Sequence, residues 1–192
     1  MEAAIHAYLR SVQDTSSNIH SEELNFLASK LNIVELKAGE VYHFADHIPQ
    51  ELGFVFRGLL KAYYRDHSGT EISQRFIAEG GYATQYGAFI SGSPSPYTFQ
   101  CIEDSIIVNL PYKHMQNCFH QFVGMERYGR LIAEGVLTVQ QKRIESFLFK
   151  TAEQRYMEFK HDYPQLVKRI NPADLAAHVG MDEEMMRQVQ HH

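Results

Sequence analysis

Tryptophan is absent, and only two cysteines occur, Cys101 and Cys118. Two scattered cysteines supply neither a disulfide framework nor a metal knuckle, and they exclude a cysteine-held iron–sulfur cluster. No run of about 18 apolar residues exists, so no membrane span is expected. The opening segment MEAAIHAYLRSVQDTSS lacks a basic stretch followed by an apolar one. No signal peptide is therefore expected, and the cytoplasm is the expected location. Positive charge is scarce too: 18 Lys and Arg stand against 23 Asp and Glu, a formal −5. That balance leaves nucleic-acid binding to local patches only. There is no glycine-rich phosphate loop, no Gly-x-Ser-x-Gly elbow and no paired carboxylates in a recognisable cleft motif, so an enzyme is not expected. His114 and Cys118 lie four apart on a helix, but His120 is off that face and no carboxylate completes a set. Neither a metal nor a cofactor is expected.

What is present divides into two kinds of sequence. An apolar fraction of 44% over 192 residues suits one or two small folded domains. The divider is 122–150, FVGMERYGRLIAEGVLTVQQKRIESFLFK, with no proline and three glycines. Tyr128, Leu131, Ile132, Gly135, Val136 and Val139 fall at offsets 0, 3, 4, 7, 8 and 11, the spacing of one apolar helix face. Such a helix runs roughly 40 Å at 1.5 Å per residue. It is either a spine inside one subunit or the seam of a homodimer, with that stripe as the dimer face.

Before the divider, Ile5, Tyr8, Leu9 and Val12 recur at helical spacing, and Ser21-Glu22-Glu23 reads as a cap for a second helix. From Ile33 to Leu110 the period changes. Strand candidates at 52–56, 59–65, 70–77, 97–102 and 105–110 alternate with turn clusters such as Asp66-His67-Ser68-Gly69. Short, evenly spaced strands argue for a barrel or sandwich. Pro111 opens a short helix at a first-turn position. After the divider the pattern is helical, broken at Tyr163-Pro164. Pro172 starts a helix that Gly180 ends, and Asp182 caps another running toward His192, the layout of a helix-turn-helix.

In this order of parts the chain resembles the Crp/Fnr family of transcription regulators. The residues carrying the resemblance are Leu52-Gly53-Phe54-Val55, Arg57 to Lys61, Asp66 to Gly69, Arg75-Phe76 with Glu79-Gly80, and Gln100 to Ser105. Ala152 to Tyr156 and Leu175 to Met181 complete the set. The resemblance implies an α+β fold: a double-stranded β-helix (a jelly-roll-like β-roll) with N-terminal helices over 1–121, a long dimerisation helix over 122–150, and a reduced helix-turn-helix over 151–192. It also implies a homodimer, DNA as partner, and a small-molecule effector in the roll.

Two departures bear on function. The family's cyclic-nucleotide pocket uses a Gly-Glu pair and, further on, an arginine that pairs with phosphate. Here those positions fall on Thr84 and Gln85, and on Ser95 or Pro96. No Lys or Arg lies between Arg75 and Lys113, so no local cation is expected, which argues against cyclic AMP or cyclic GMP. Tyr82, Gln85, Tyr86, Phe89, Ser95, Tyr97 and Thr98 could line a pocket for an unidentified small molecule, or equally form a packed wall. The second departure is in the last helix. Where the family has Thr/Ser-Pro-Glu-Thr and then Ser-Arg, this chain has Asp182, Glu183, Glu184 and Met185, then Arg187 and Gln188. If DNA is read, Glu184, Arg187 and Gln188 reach base edges while Lys168 and Arg169 hold phosphates. Four carboxylates against Arg187 give 171–192 a formal −3 with histidines neutral, which opposes DNA. An alternative therefore stays open: a β-roll ligand-binding or protein-interaction dimer that has lost specific DNA binding.

Overall fold

The computed structural model describes residues 1–190. Two helices, α1 (Glu2–Thr15) and α2 (Ser21–Ala28), precede a run of eight strands. These are β1 (Asn32–Leu36), β2 (Val41–His43), β3 (Glu51–Arg57), β4 (Leu60–Arg65), β5 (Glu71–Ile77), β6 (Tyr82–Ala83), β7 (Thr98–Cys101) and β8 (Ser105–Pro111), with the short α3 (Tyr86–Ser91) between β6 and β7. They pair antiparallel in two four-stranded sheets, β1-β8-β3-β6 and β2-β7-β4-β5. This is the expected β-roll.

Period-2 alternation decides which layer each side chain enters. In β8, Ile107 points into the roll with Val55, Leu60, Phe99 and Cys101, while Val108 and Leu110 point toward the helices. There they meet Tyr8, Val12, Leu27, Leu52, Phe54 and Met115. Both faces of the β1-β8-β3-β6 sheet are thus covered, which explains why β8 reads as a nearly unbroken apolar run. Gly53 is required on the roll side, because the Tyr42 hydroxyl occupies the place of a β-carbon on its way to the Asn109 amide oxygen, 2.8 Å away. The hairpin between β4 and β5 forms at Asp66-His67-Ser68-Gly69. The Asp66 carboxylate accepts from the Ser68 and Thr70 amides, and Gly69 takes φ +84°.

Three local expectations shift. The cap of α2 is His20, whose amide donates to the Glu23 carboxylate at 2.8 Å, so Ser21 is already inside the helix. Pro111 is the residue before α4 (Tyr112–Gln121), since its extended ψ of 141° still belongs to β8. The divider is α5 (Val123–Phe149), 27 residues long.

Beyond it, α6 (Ala152–Asp162), α7 (Pro164–Val167), α8 (Pro172–Val179) and α9 (Glu183–Gln190) form a small helical unit. Its core of Tyr156, Ile170, Leu175, Ala176, Val179, Met181 and Met186 also contains Leu59, from the turn before β4. Phe76, Ala78 and Ile102 of the roll pack against the same cluster. Roll and helices are therefore welded by apolar contact.

Candidate nucleic-acid interface and ligand cleft

The α8–α9 pair is built by local capping. Asn171 accepts from the Asp174 amide at 2.7 Å, Pro172 takes the first helical position, and Gly180 closes α8 at φ +69°. Asp182 accepts from the Met185 amide at 2.8 Å. Its negative charge thus has a capping role at the start of α9. Met186 is buried against α8, and this orientation leaves Glu184, Met185, Arg187 and Gln188 exposed. The three candidate base-readers are adjacent: Glu184 pairs with Arg187 at 3.0 Å and accepts from Gln188 at 3.2 Å.

The two candidate phosphate contacts separate. Lys168 is exposed. Arg169 is instead committed to the roll, where it forks onto Glu79 with two bonds of 2.9 Å and onto Glu103 with bonds of 2.9 and 2.7 Å. Glu79 also accepts from the Gly58 amide at 3.0 Å. The hydrogen bonds from Arg169 hold the Glu79 carboxyl down at about 2, and the carboxylates raise the Arg169 pKa in turn. A doubly forked arginine is geometrically far better than an ordinary surface pair, which contributes about 0–1 kcal/mol.

A second tie joins the roll to α8. Lys61 Nζ lies 2.9 Å from Asp174 and 3.3 Å from Glu71, and the Ser73 hydroxyl donates to Asp174 at 3.0 Å. Burial alone lowers the Lys61 pKa, but the two carboxylates outweigh it and raise the group overall. His178 packs against the rings of Phe76 and Phe159, with centroids 5.1 and 5.3 Å away, and its Nδ1 is 3.2 Å from the Ser73 carbonyl. Burial, with Arg143 alongside, lowers its pKa to about 4. Arg143 and Arg155, from α5 and α6, donate to the carbonyls of His178 and Val179 at 3.2 and 2.8 Å. They satisfy the C-terminal end of α8, where helix carbonyls lack partners and the dipole favours cations. Sequence reasoning missed Lys61, Glu79, Glu103, Arg143, Arg155, Asp174 and His178 as a group. Their partners lie up to 113 residues apart, beyond any local pattern.

Between the roll and α5 lies a cleft of about 370 Å³. Of the seven candidate pocket residues, Gln85, Tyr86 and Tyr97 line it. Four do not. Tyr82 turns into the α1 core, where it meets Tyr8 and Phe54 and bonds the Tyr128 hydroxyl. Phe89 is buried against Tyr112, with centroids 5.2 Å apart. Ser95 is buried and accepts from the Tyr97 amide at 3.1 Å. Thr98 accepts from the Ala45 amide at 3.2 Å. The remaining lining comes from Gln74 and Arg75 of β5, Thr84, Gly87, Phe99, and Ala133, Val136, Leu137 and Gln140 of α5. A cation therefore does border the cleft, contrary to expectation: Arg75 reaches it across the β5–β6 turn, bonding the carbonyls of Tyr82 and Thr84.

The stripe expected at a dimer seam is divided. Tyr128 is buried and Ile132 packs against the N-terminal core. Leu131 and Val136 are half-buried, and Gly135 and Val139 are exposed. A second apolar row emerges further along α5, where Leu137, Ile144 and Leu148 are 69%, 58% and 70% exposed. Among the described residues, no helix is long and apolar enough to cross a membrane.

Residues 33–122 match the model of the cyclic nucleotide-binding domain family. Comparison with curated proteins gives no match. Among solved structures, the chain is similar to FixK2 from Bradyrhizobium japonicum at 15% identity, over 84% of this chain and 83% of that one, with a TM-score of 0.73. It is similar to the c-di-GMP responsive global regulator CLP of Xanthomonas campestris at 14% identity, over 90% of both chains, with a TM-score of 0.68. The catabolite activator protein of Thermus thermophilus aligns at 16% identity, over 94% of this chain and 85% of that one, with a TM-score of 0.59. Residues 33–122 are thus similar to a cyclic nucleotide-binding domain, carried in a chain whose fold is that of FixK2, CLP and the Thermus catabolite activator protein.

Proposed function

We propose that the protein is a transcription regulator that binds DNA as a homodimer through α9, under control of its β-roll. The observation that carries this reading is the construction of α8–α9. One helix is anchored on the roll by Asp174 and His178, while the other keeps Glu184, Arg187 and Gln188 exposed. A helix so presented suits the major groove, where arginine reads guanine, glutamine adenine, and glutamate the cytosine amino group. Lys168 is the phosphate contact that this reading keeps; Arg169 serves as the clasp to the roll. The exposed row of Leu137, Ile144 and Leu148 on α5 supplies the seam between subunits. A ligand between roll and α5 shifts populations by preferring one arrangement of the long helix, and α8 moves with it through the Arg143 contact.

The test is fluorescence anisotropy of the purified protein with labelled fragments from around its own gene, titrated across salt. Preference for one fragment over random DNA, weakening steeply as salt rises, supports the regulator. The carboxylates Asp182 and Glu184 beside Arg187 favour a second reading, a β-roll interaction or ligand-binding dimer without DNA specificity. A dimer that treats every fragment alike across effector candidates supports that reading instead.

A further inference from the structure

Helix α8 is held at its two ends by different parts of the chain. At its C-terminal end, Arg143 of α5 and Arg155 of α6 donate to the carbonyls of His178 and Val179. Both guanidinium groups also lie over the Phe147 ring, 4.8 and 4.3 Å from its centre. At the N-terminal end the holders belong to the roll. Asp174, in the first turn, meets Lys61 Nζ at 2.9 Å and the Ser73 hydroxyl at 3.0 Å. Just before the cap Asn171, Arg169 forks onto Glu79 of the β5–β6 turn and Glu103 of the β7–β8 turn. Glu79 is itself fixed by the Gly58 amide at 3.0 Å. Two anchored ends define the axis of a helix, whereas one leaves it free to swing. The long helix does not supply the second anchor, because α5 is interrupted before α6 by the extended backbone of Lys150 (φ −118°, ψ 146°). Apolar contact through Leu59, Phe76, Ala78 and Ile102 attaches the helical unit, but hydrophobic burial is non-directional. A planar guanidinium between two carboxylates fixes orientation as well as distance. Helix α9 inherits the axis of α8, since it follows the turn at Gly180 and buries Met186 in the same core.

We propose that Arg169, Glu79 and Glu103 are positioning residues for DNA recognition: by fixing the axis of α8 on the roll, they set the half-site spacing that a dimer accepts. The inference rests on the regulator reading above. One base pair displaces a half-site by about 3.4 Å along the duplex and about 35° around it. An α9 whose neighbour is pinned at both ends does not follow that displacement. One hinged only at Arg143 and Arg155 does. Loss of the clasp therefore leaves Glu184, Arg187 and Gln188 able to read bases and relaxes the geometry alone.

The test compares the full-length wild type with Arg169→Lys, which keeps the charge and loses the fork. Half-sites enriched from a random duplex pool are placed at the preferred spacing, or with one base pair added or removed, and titrated by fluorescence anisotropy beside a single half-site. The wild type is expected to lose at least about tenfold in Kd for a one-base-pair change and Arg169→Lys no more than about threefold, with equal affinities for the single half-site. If Arg169→Lys does not fold, Glu79→Gln combined with Glu103→Gln takes its place, read as the ratio of Kd values between spacings so that the altered charge cancels. A spacing profile in Arg169→Lys parallel to that of the wild type overturns the proposal, whether at equal affinity or uniformly weakened as loss of a phosphate contact would make it. A wild type indifferent to spacing does the same. A second readout needs no DNA: amide hydrogen exchange over 172–179 is expected to be faster in Arg169→Lys, with the strands of the roll unchanged. A wild type that binds no duplex removes the regulator reading and the spacing claim with it. Exchange then decides the clasp alone: faster exchange keeps it as the fixture of α8, and unchanged exchange overturns that too.

Discussion

Arg187 and His178 carry the sharpest residue-scale consequences. Arg187 is exposed beside Glu184 and Gln188. If it reads a base, Arg187→Ala weakens specific DNA binding by about 1–3 kcal/mol and relaxes preference at one position of the site. Anisotropy with the preferred fragment and single-base variants measures both, and an unchanged Kd removes Arg187 from recognition. His178 makes a statement about pH. Its folded pKa is about 4 because burial and Arg143 disfavour the imidazolium, whereas the unfolded chain takes up that proton near pH 6.5. Between those values the unfolded state binds more protons, so stability falls as pH falls through that window. The full contribution, present above about pH 6.5, is at most about 3 kcal/mol. Calorimetric Tm values from pH 7 to 4 are expected to fall less steeply for His178→Gln than for the wild type. Parallel slopes would mean that His178 is not buried as a neutral ring.

At the scale of elements, α5 is informative because it has two apolar faces with different coverings. Ile132 packs on the N-terminal core, so Ile132→Glu places a charge among apolar side chains and is expected to yield unfolded or aggregated protein. Ile144 is exposed. Ile144→Glu is expected to turn a dimer into a monomer in light scattering while circular dichroism stays unchanged; an unchanged dimer mass places the seam elsewhere. The sequence period correctly marked Tyr128, Ile132 and Val136 as one face of a helix. It could not say what covers them, since a 3.6-residue period is the same whether the cover is the chain's own core or another subunit. The same limit explains the cleft. Tyr82, Phe89, Ser95 and Thr98 were plausible as a pocket by composition, yet strand alternation and the α3 turn direct them into cores and turns. Arg75 precedes that segment in sequence and reaches the cleft only because β5 runs alongside it.

For the whole molecule, a barrel or sandwich of short strands, the long helix and the α8–α9 pair were legible from turn spacing, period and capping residues, and the β-roll from the family resemblance. What was not legible is how the helical unit is fastened to the roll. Arg169 read as a free cation near a DNA-binding helix; only packing brings Glu79 and Glu103 to it, 90 and 66 residues away in sequence. That clasp predicts an interdomain phenotype. Glu79→Gln combined with Glu103→Gln is expected to speed trypsin cleavage within 150–170 while the roll keeps its hydrogen-exchange protection. Unaltered cleavage would show that the Leu59–Tyr156 core holds the unit without the clasp. Acid acts in the same direction: the Glu79 contribution is complete above the ordinary glutamate range and is lost as pH falls toward about 2.

In the proposed regulator, two α9 helices read DNA from one dimer. Selection of bound sequences from a random duplex pool tests that claim most directly. It predicts an enriched pseudo-palindrome whose half-sites are centred about one helical turn, 10–10.5 base pairs, apart. A single unrepeated motif, or no enrichment over the starting pool, would contradict it.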